Sequence, residues 1–233
     1  MESLKTTIIA KNNLDLMFDH VQHGGIEIIE NSTPLGVEFA LHSIIEYSRH
    51  KGIPLIVEDI FDTLAVYLSH LNFMGINFED SDIKVIKVSG GQEVGKVLAR
   101  IRFENNPYVY RKKIDQELDR VIPEGKYIHL VLGLERLISL QNDPHTVRAI
   151  LSLMKEKLSE ERGMSIYIIE KSLVENLPLN PLPLMENVAT SVIELTGEKR
   201  ELIKIRLKKS RLALLAHTEY LFISPREVLR WWG

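Results

Sequence analysis

Residues 127–132 read Tyr-Ile-His-Leu-Val-Leu, a near-continuous apolar run suited to a strand covered on both faces and therefore to the middle of a sheet. Similar short runs, rich in β-branched residues, occur at Ile26 to Glu30, Pro54 to Val57 and Ser165 to Ile169. Helical patterns separate them. Val37 to Lys51 places Val37, Ala40, Leu41, Ile44 and Ile45 on one face before Gly52, and Phe61 to Met74 closes at Gly75. Further helices are expected at Pro107 to about Val121, Glu135 to Leu140 and Pro144 to Arg162. Strands and helices in alternation predict an α/β fold with a mostly parallel sheet. With 45% hydrophobic and 26% charged residues in 233 and no linker tract, one domain over residues 1–233 is the economical reading.

The two ends and the middle depart from this rhythm. Residues 1–24 combine an extended stretch, Thr6 to Ala10, with a short amphipathic helix at Asn12 to Gln22 carrying Leu14, Met17, Phe18 and Val21. Ile83 to Val88 and Val94 to Phe103 alternate with period two, and Gly90-Gly91 between them predicts a β-hairpin. After the proline-rich stretch Pro178 to Pro183 and a short helix come strands near Ser191 to Leu195, Glu201 to Lys208 and Glu219 to Ile223. A helical tail over residues 225–233 presents Trp231 and Trp232, expected to dock on the protein's own core.

Composition removes whole classes of chemistry. The absence of cysteine excludes thiolate nucleophiles, Fe–S clusters and Cys-ligated zinc, and fits a cytoplasmic chain. With 29 Lys+Arg against 32 Asp+Glu the net charge is −3, which gives no global field for nucleic acid or anionic membrane. No run reaches the length of a membrane span, and neither GxSxG nor HExxH occurs. His42, Glu46 and His50 share one helix face at metal-ligand spacing, but they lie opposite Leu41, Ile44 and Ile45, so a solvated face is expected and no metal. His20 and His23 read as helix C-terminal capping. Gly90 to Lys96 satisfies GxxxxGK, yet Val97 and the period-two residues after it argue for a turn, not a phosphate loop.

Five phrases, taken together and in this order, resemble the RecA-like ATPase superfamily in its KaiC-like branch, over roughly residues 12–224. They are Leu14-Asp15 ahead of a glycine-led strand, the strand-turn-helix ending in Gly36, Ile56-Val57-Glu58-Asp59, Ile128 to Leu137, and Ile205 to Arg211. The resemblance implies a single RecA-like domain whose central sheet, flanked by helices, turns antiparallel toward the C-terminal end. It also implies a nucleotide site, and here the sequence departs from the pattern, as in an archaeal subgroup whose Walker A and Walker B motifs have decayed.

An active member carries GxxxxGK[ST] in the first turn, where backbone N–H groups cradle phosphates while Lys and the hydroxyl serve charge and Mg²⁺. The matching stretch is Asn31-Ser32-Thr33-Pro34-Leu35-Gly36-Val37-Glu38. Val37 stands for the Lys and Glu38 for the Ser/Thr. A carboxylate a few Å from a phosphate charge repels it by about 4 kcal/mol at an effective dielectric near 20. Gly133, two residues before Glu135, stands where the family holds Mg²⁺ through an Asp. Glu58-Asp59 matches the family's water-activating acidic pair, and Lys209-Ser210-Arg211 matches its K-x-R. Both also fit plain structural roles, at a strand end and on the wet face of a strand.

These departures predict a non-catalytic RecA-like protein, a protein- or peptide-binding or assembly module, with no cofactor and no use of ATP or Mg²⁺. Recognition through a sheet edge is one expected route, by an external peptide or by Thr6 to Ala10 of a second copy in a homo-oligomer, and the crevice at the carboxyl ends of the strands is the other expected pocket. Lys209 and Arg211 are candidate anion or partner contacts. Two other readings stand beside this one: an atypical ATPase with Glu58 as base and Lys96, Lys209 or Arg211 as cations, and a nucleic-acid accessory protein using the basic stripe Lys199 to Arg211.

Overall fold

A computed structural model describes residues 18, 24–79, 83–102, 104, 106–158, 160–198, 202–210 and 221–224. The expected Thr6 to Ala10 strand, Leu14-Asp15, His20, His23, Arg211 and the 225–233 tail lie outside them. Of the expected Asn12 to Gln22 helix only Phe18 is described, helical and buried, its ring 5.2 Å from that of Tyr47.

In chain order the elements are β1 (Ile26–Ser32), α1 (Gly36–Lys51), β2 (Leu55–Ile60), α2 (Thr63–Phe73), β3 (Lys84–Val88), β4 (Lys96–Ile101), α3 (Pro107–Val121), β5 (Tyr127–Leu132) and α4 (Leu134–Leu140). Then follow α5 (Pro144–Lys157), β6 (Gly163–Glu170), α6 (Lys171–Val174), α7 (Leu182–Val188), β7 (Ser191–Glu198), β8 (Leu202–Lys209) and β9 (Leu221–Ile223). The strands form one sheet in the order β4-β3-β2-β5-β6-β1-β7-β8-β9. All neighbours from β4 to β7 are parallel, and β8 and β9 add antiparallel. The apolar run 127–132 is β5, buried at every residue between β2 and β6.

Strand pleating sends alternate residues to opposite faces, and each face has its own core. On one, Ile29, Leu55, Val57, Leu130 and Ile168 pack under α1 and α2. On the other, Ile28, Ile56, Val131, Tyr167 and Ile169 meet Tyr110 and Ile114 of α3, Leu137 and Ile138 of α4 and Met154 of α5. Asn106 and Asp143 start α3 and α5 by accepting the backbone N–H groups of Tyr108 and of His145 and Thr146. Each cap precedes a proline at the first helical position. Among the described residues no helix is long and apolar enough to cross a membrane.

Two expectations fail. β3 and β4 are not a hairpin: they pair parallel, Val85 beside Val97 and Val88 beside Ile101. Period-two alternation reports that a segment is extended, not which way it runs. The 89–95 connection retraces the strand and is held by Asp62, whose carboxylate accepts from Gly91 N at 2.8 Å and Gln92 N at 3.1 Å. The GxxxxGK text is thus part of this connection, and its Lys96 opens a strand. The second failure is the length of α5, which stops at Lys157 rather than Arg162. The chain needs the residues between to reverse into β6, and Arg162 closes that reversal on Glu160 at 3.0 Å.

Glu27, on β1, is fully buried, and neither of its carboxyl oxygens finds a hydrogen-bond partner among the described residues. Burial alone pushes its pKa up to about 8. Between its ordinary value and that one, the folded state holds a proton that the unfolded state has released, so stability falls as pH rises. A loss of roughly 2 kcal/mol is expected between pH 6 and pH 8. Glu27→Gln removes most of this slope, and urea melts across that range check it.

Candidate functional site

The turn after β1 sits where strand carboxyl ends meet a helix N-terminus, the place where open α/β sheets take ligands. Leu35 enters α1 with φ 64°, in the left-handed region that costs a side-chain-bearing residue about 1–2 kcal/mol. Inside the turn lies the Asn31 amide. Its Oδ1 accepts from Thr33 N at 3.2 Å, and its Nδ2 donates to Thr33 O at 2.9 Å and to Glu170 Oε2 at 2.9 Å. A Cβ on Gly36 would stand 2.8 Å from Asn31 Cγ, so glycine is what lets the side chain fold in. Gly36 N–H is turned to Thr33 O at 3.3 Å. Val37 lies in the core, 1% exposed. Glu38 is buried and holds His70 Nδ1 at 2.6 Å.

Beside the turn opens a cleft of about 620 Å³, lined by Ser32 to Leu35, Glu38, Tyr67, His70, Glu170, Ser172 and Glu175. Glu170 ends β6 on the α1 side of the sheet, and the Tyr67 hydroxyl donates to its Oε1 at 3.4 Å. Burial first, and the Glu38 charge after it, raise the Glu170 pKa against the pull of Asn31 and Tyr67. Glu135, in the first turn of α4, is 1% exposed, and burial pushes its pKa up to about 7 with Glu170 adding to the effect. Among the described residues the lining carries three carboxylates and one imidazole but no Lys or Arg, while the Arg136 charge acts on Glu170 from nearby.

The acidic pair of β2 points elsewhere. Consecutive strand residues face opposite ways, so Glu58 and Asp59 cannot share a partner. Glu58 Oε1 accepts from the Tyr110 hydroxyl at 2.5 Å, and its Oε2 lies 3.3 Å from His129 Nε2. Asp59 binds Lys87 Nζ at 2.7 Å and Leu64 N at 2.8 Å. Neither residue lines the cleft. Gly133 joins β5 to α4 at φ 84°, and a Cβ there would sit 2.5 Å from Ile60 O. The structure thus places Asn31, Ser32, Thr33, Gly36 and Glu38 around one turn with Val37 turned into the core behind it, and leaves Glu58, Asp59, Gly133 and Glu135 outside the lining of the cleft.

The basic stripe is ion-paired. Lys208 reaches Glu30 and Glu186, each at 3.0 Å, Arg206 lies 3.5 Å from Glu194, and Lys204 is likewise engaged. Lys209 Nζ caps α7 by donating to Glu186 O at 2.9 Å and Asn187 O at 3.0 Å. The expected solvated face of α1 is only partly so. His42 is buried against the Phe78 ring at 5.7 Å, covered by the segment after α2 that periodicity in α1 could not reveal. Among the described residues no His, Asp and Glu cluster could hold a metal ion. Sequence reasoning missed Tyr67, His70, Glu170 and Glu175. Glu170 alone had a signal, a carboxylate closing the apolar run of β6 as Glu58 does in β2.

No curated protein matches the sequence. Among solved structures, Pyrococcus horikoshii OT3 protein PH0250 aligns with TM-score 0.74 at 24% identity, over 91% of this chain and 98% of its own. A KaiC-like protein of the same hyperthermophilic archaeon aligns with TM-score 0.54 at 15% identity, over 81% and 80%. The flagellar accessory protein FlaH of Methanocaldococcus jannaschii aligns with TM-score 0.56 at 12% identity, over 89% and 90%. The fold is therefore RecA-like, of the KaiC-like and FlaH-like kind. Residues 16–218 match the family described as Pyrococcus protein of unknown function, DUF257, and the chain belongs to that family.

Proposed function

We propose that this chain is a non-catalytic RecA-like protein, a protein- or peptide-binding or assembly module that makes no use of a nucleotide. One observation carries the reading: the Asn31 side chain occupies the turn in which a phosphate would lie, and takes up the Thr33 N–H that would face it. Three others support it. Val37 offers no cation, Glu38 puts an anion beside the turn, and the acidic pair of β2 is committed to Tyr110 and Lys87. Of the cations that an atypical ATPase would borrow, Lys209 caps α7 and Lys96 opens an outermost strand of the sheet, which favours the non-catalytic reading, and Arg211 lies outside the described residues. Ion pairing of Arg206 and Lys208 weakens the nucleic-acid reading in the same way, since phosphate binding draws on unpaired cations.

The partner surface in this reading is an outer edge of the sheet, that of β4 or of β9, each of which pairs with one strand among the described residues. Extended peptides add to such edges through main-chain hydrogen bonds. Calorimetry with Mg-ATP is expected to show no heat of binding, and micromolar binding with turnover would refute the proposal. Asn31→Ala is expected to cost roughly 1–3 kcal/mol, because it leaves Glu170 and the Thr33 backbone without their partner. It is expected to confer no ATP binding, since Val37 and Gly133 remain. Urea melts and the same titration check both.

A further inference from the structure

The β3–β4 pair is closed in an unusual way. Parallel neighbours need a crossover of about a dozen residues or more, yet residues 89–95 alone carry the chain from the end of β3 back to the start of β4. The return runs through left-handed backbone at Ser89, Gly90 and Gly95, with φ of 54°, 93° and 66°. It lies against a second left-handed pair, Phe61 and Asp62, with φ of 57° and 58°. Serine, phenylalanine and aspartate hold that region at a cost, so the arrangement persists only while its surroundings enforce it. β4 itself enforces little. Its ladder to β3 shifts register beside Val85, and of its six residues Ile101 alone is buried, whereas β3 is buried from Val85 to Val88. Val97 and Ala99 add half-buried contacts, one to each core. The fastening comes from the turn between β2 and α2, where the Asp62 carboxylate accepts from Gly91 N and Gln92 N and pairs with the Lys87 ammonium.

We infer that β4 and the 89–95 connection form a detachable strap, latched by Asp62, that opens as one unit and bares the edge of β3 while the rest of the sheet stays folded. The inference goes beyond the binding role proposed above and does not depend on it. Opening gives up one buried side chain and an interrupted ladder, and it frees the connection from its left-handed turns. Segments with so few buried apolar contacts open below the free energy of global unfolding. The strand that opening uncovers is of the other kind: Val85, Ile86 and Val88 are fully buried, and a bare apolar edge of that sort pairs with another strand.

Native-state hydrogen exchange at low denaturant tests the strap. Ser89 N donates to Ile101 O at 2.9 Å and Lys96 N to Ile83 O at 2.7 Å, so these amides, with Gly91 and Gln92, report its opening. Ile128 N, which donates to Pro54 O, and Ser165 N, which donates to Gly25 O, report the centre of the sheet. The strap amides are expected to exchange together, at least tenfold faster than the central pair, with the shallow denaturant dependence of a partial opening. Asp62→Asn keeps a residue tolerant of left-handed backbone and leaves Lys87 bonded to Asp59, but one of the two amides loses its acceptor. It should speed Ser89 and Lys96, which do not touch Asp62, by about the same tenfold as Gly91 and Gln92. Strap amides that exchange no faster than Ile128 and Ser165 would overturn the inference without any variant. An Asp62→Asn effect confined to Gly91 and Gln92 would overturn it too, since the latch would then hold only its own turn.

Discussion

Lys87→Met is expected to lower stability by about 3–5 kcal/mol, read as a shift in the urea midpoint with an unchanged slope. Lys87 is 1% exposed and Asp59 fully buried, 2.7 Å apart, and Asp62 makes a second close ion pair with the same ammonium. Methionine keeps the volume and removes the charge. Asp59 is then left as a buried carboxylate whose remaining donor is Leu64 N, and Asp62 loses the cation that helps it hold the 89–95 connection against the sheet. The penalty is that of an uncompensated buried charge, not the net worth of the pair, so removing both charges should cost less than removing one. Lys87→Met with Asp59→Asn keeps the hydrogen bond to Leu64 N and is expected to recover more than half of the loss. A double variant as unstable as the single one would refute the account.

Much of this architecture is legible in the sequence because it depends on patterns that have one structural solution. The helix from Pro107 to about Val121 and the strand Tyr127 to Leu132 both stand where the sequence puts them, the first because proline suits the opening position of a helix, the second because its apolar run is too continuous for a strand with a wet face. The parallel sheet follows from helices lying between strands. The direction of β4 does not follow, since alternation carries no sign, and only the grip of Asp62 on Gly91 and Gln92 settles it. The site divides the same way. That Val37 stands where the KaiC-like pattern has a Lys is visible as text, but that the Asn31 amide turns inward to fill the turn is a matter of three hydrogen bonds, one to a residue 139 positions away. The opposite facing of Glu58 and Asp59 could have been read from pleating alone. Their partners Tyr110 and Lys87 could not, because each comes from an element whose place is fixed only by packing.

Gly133→Asp restores in text the carboxylate that the KaiC-like pattern carries after its central strand, and it is expected to restore nothing in function. The backbone there is at φ 84°, and an added Cβ would meet Ile60 O at 2.5 Å and crowd the Thr63 hydroxyl that itself bonds Ile60 O at 2.5 Å. Left-handed backbone costs an L residue about 1–2 kcal/mol, and forcing apart a packed contact adds about 1–3. The two together predict a loss of about 2–5 kcal/mol in urea, with no heat on titration of Mg-ATP. An aspartate tolerated at native stability would show that the β5–α4 junction can return to an acid-bearing form. The expected outcome means something different: that junction is packed around the absence of a side chain. Thr63 and Ile60 stand close over the position, and a side chain there would require the start of α2 to move before any single substitution could succeed.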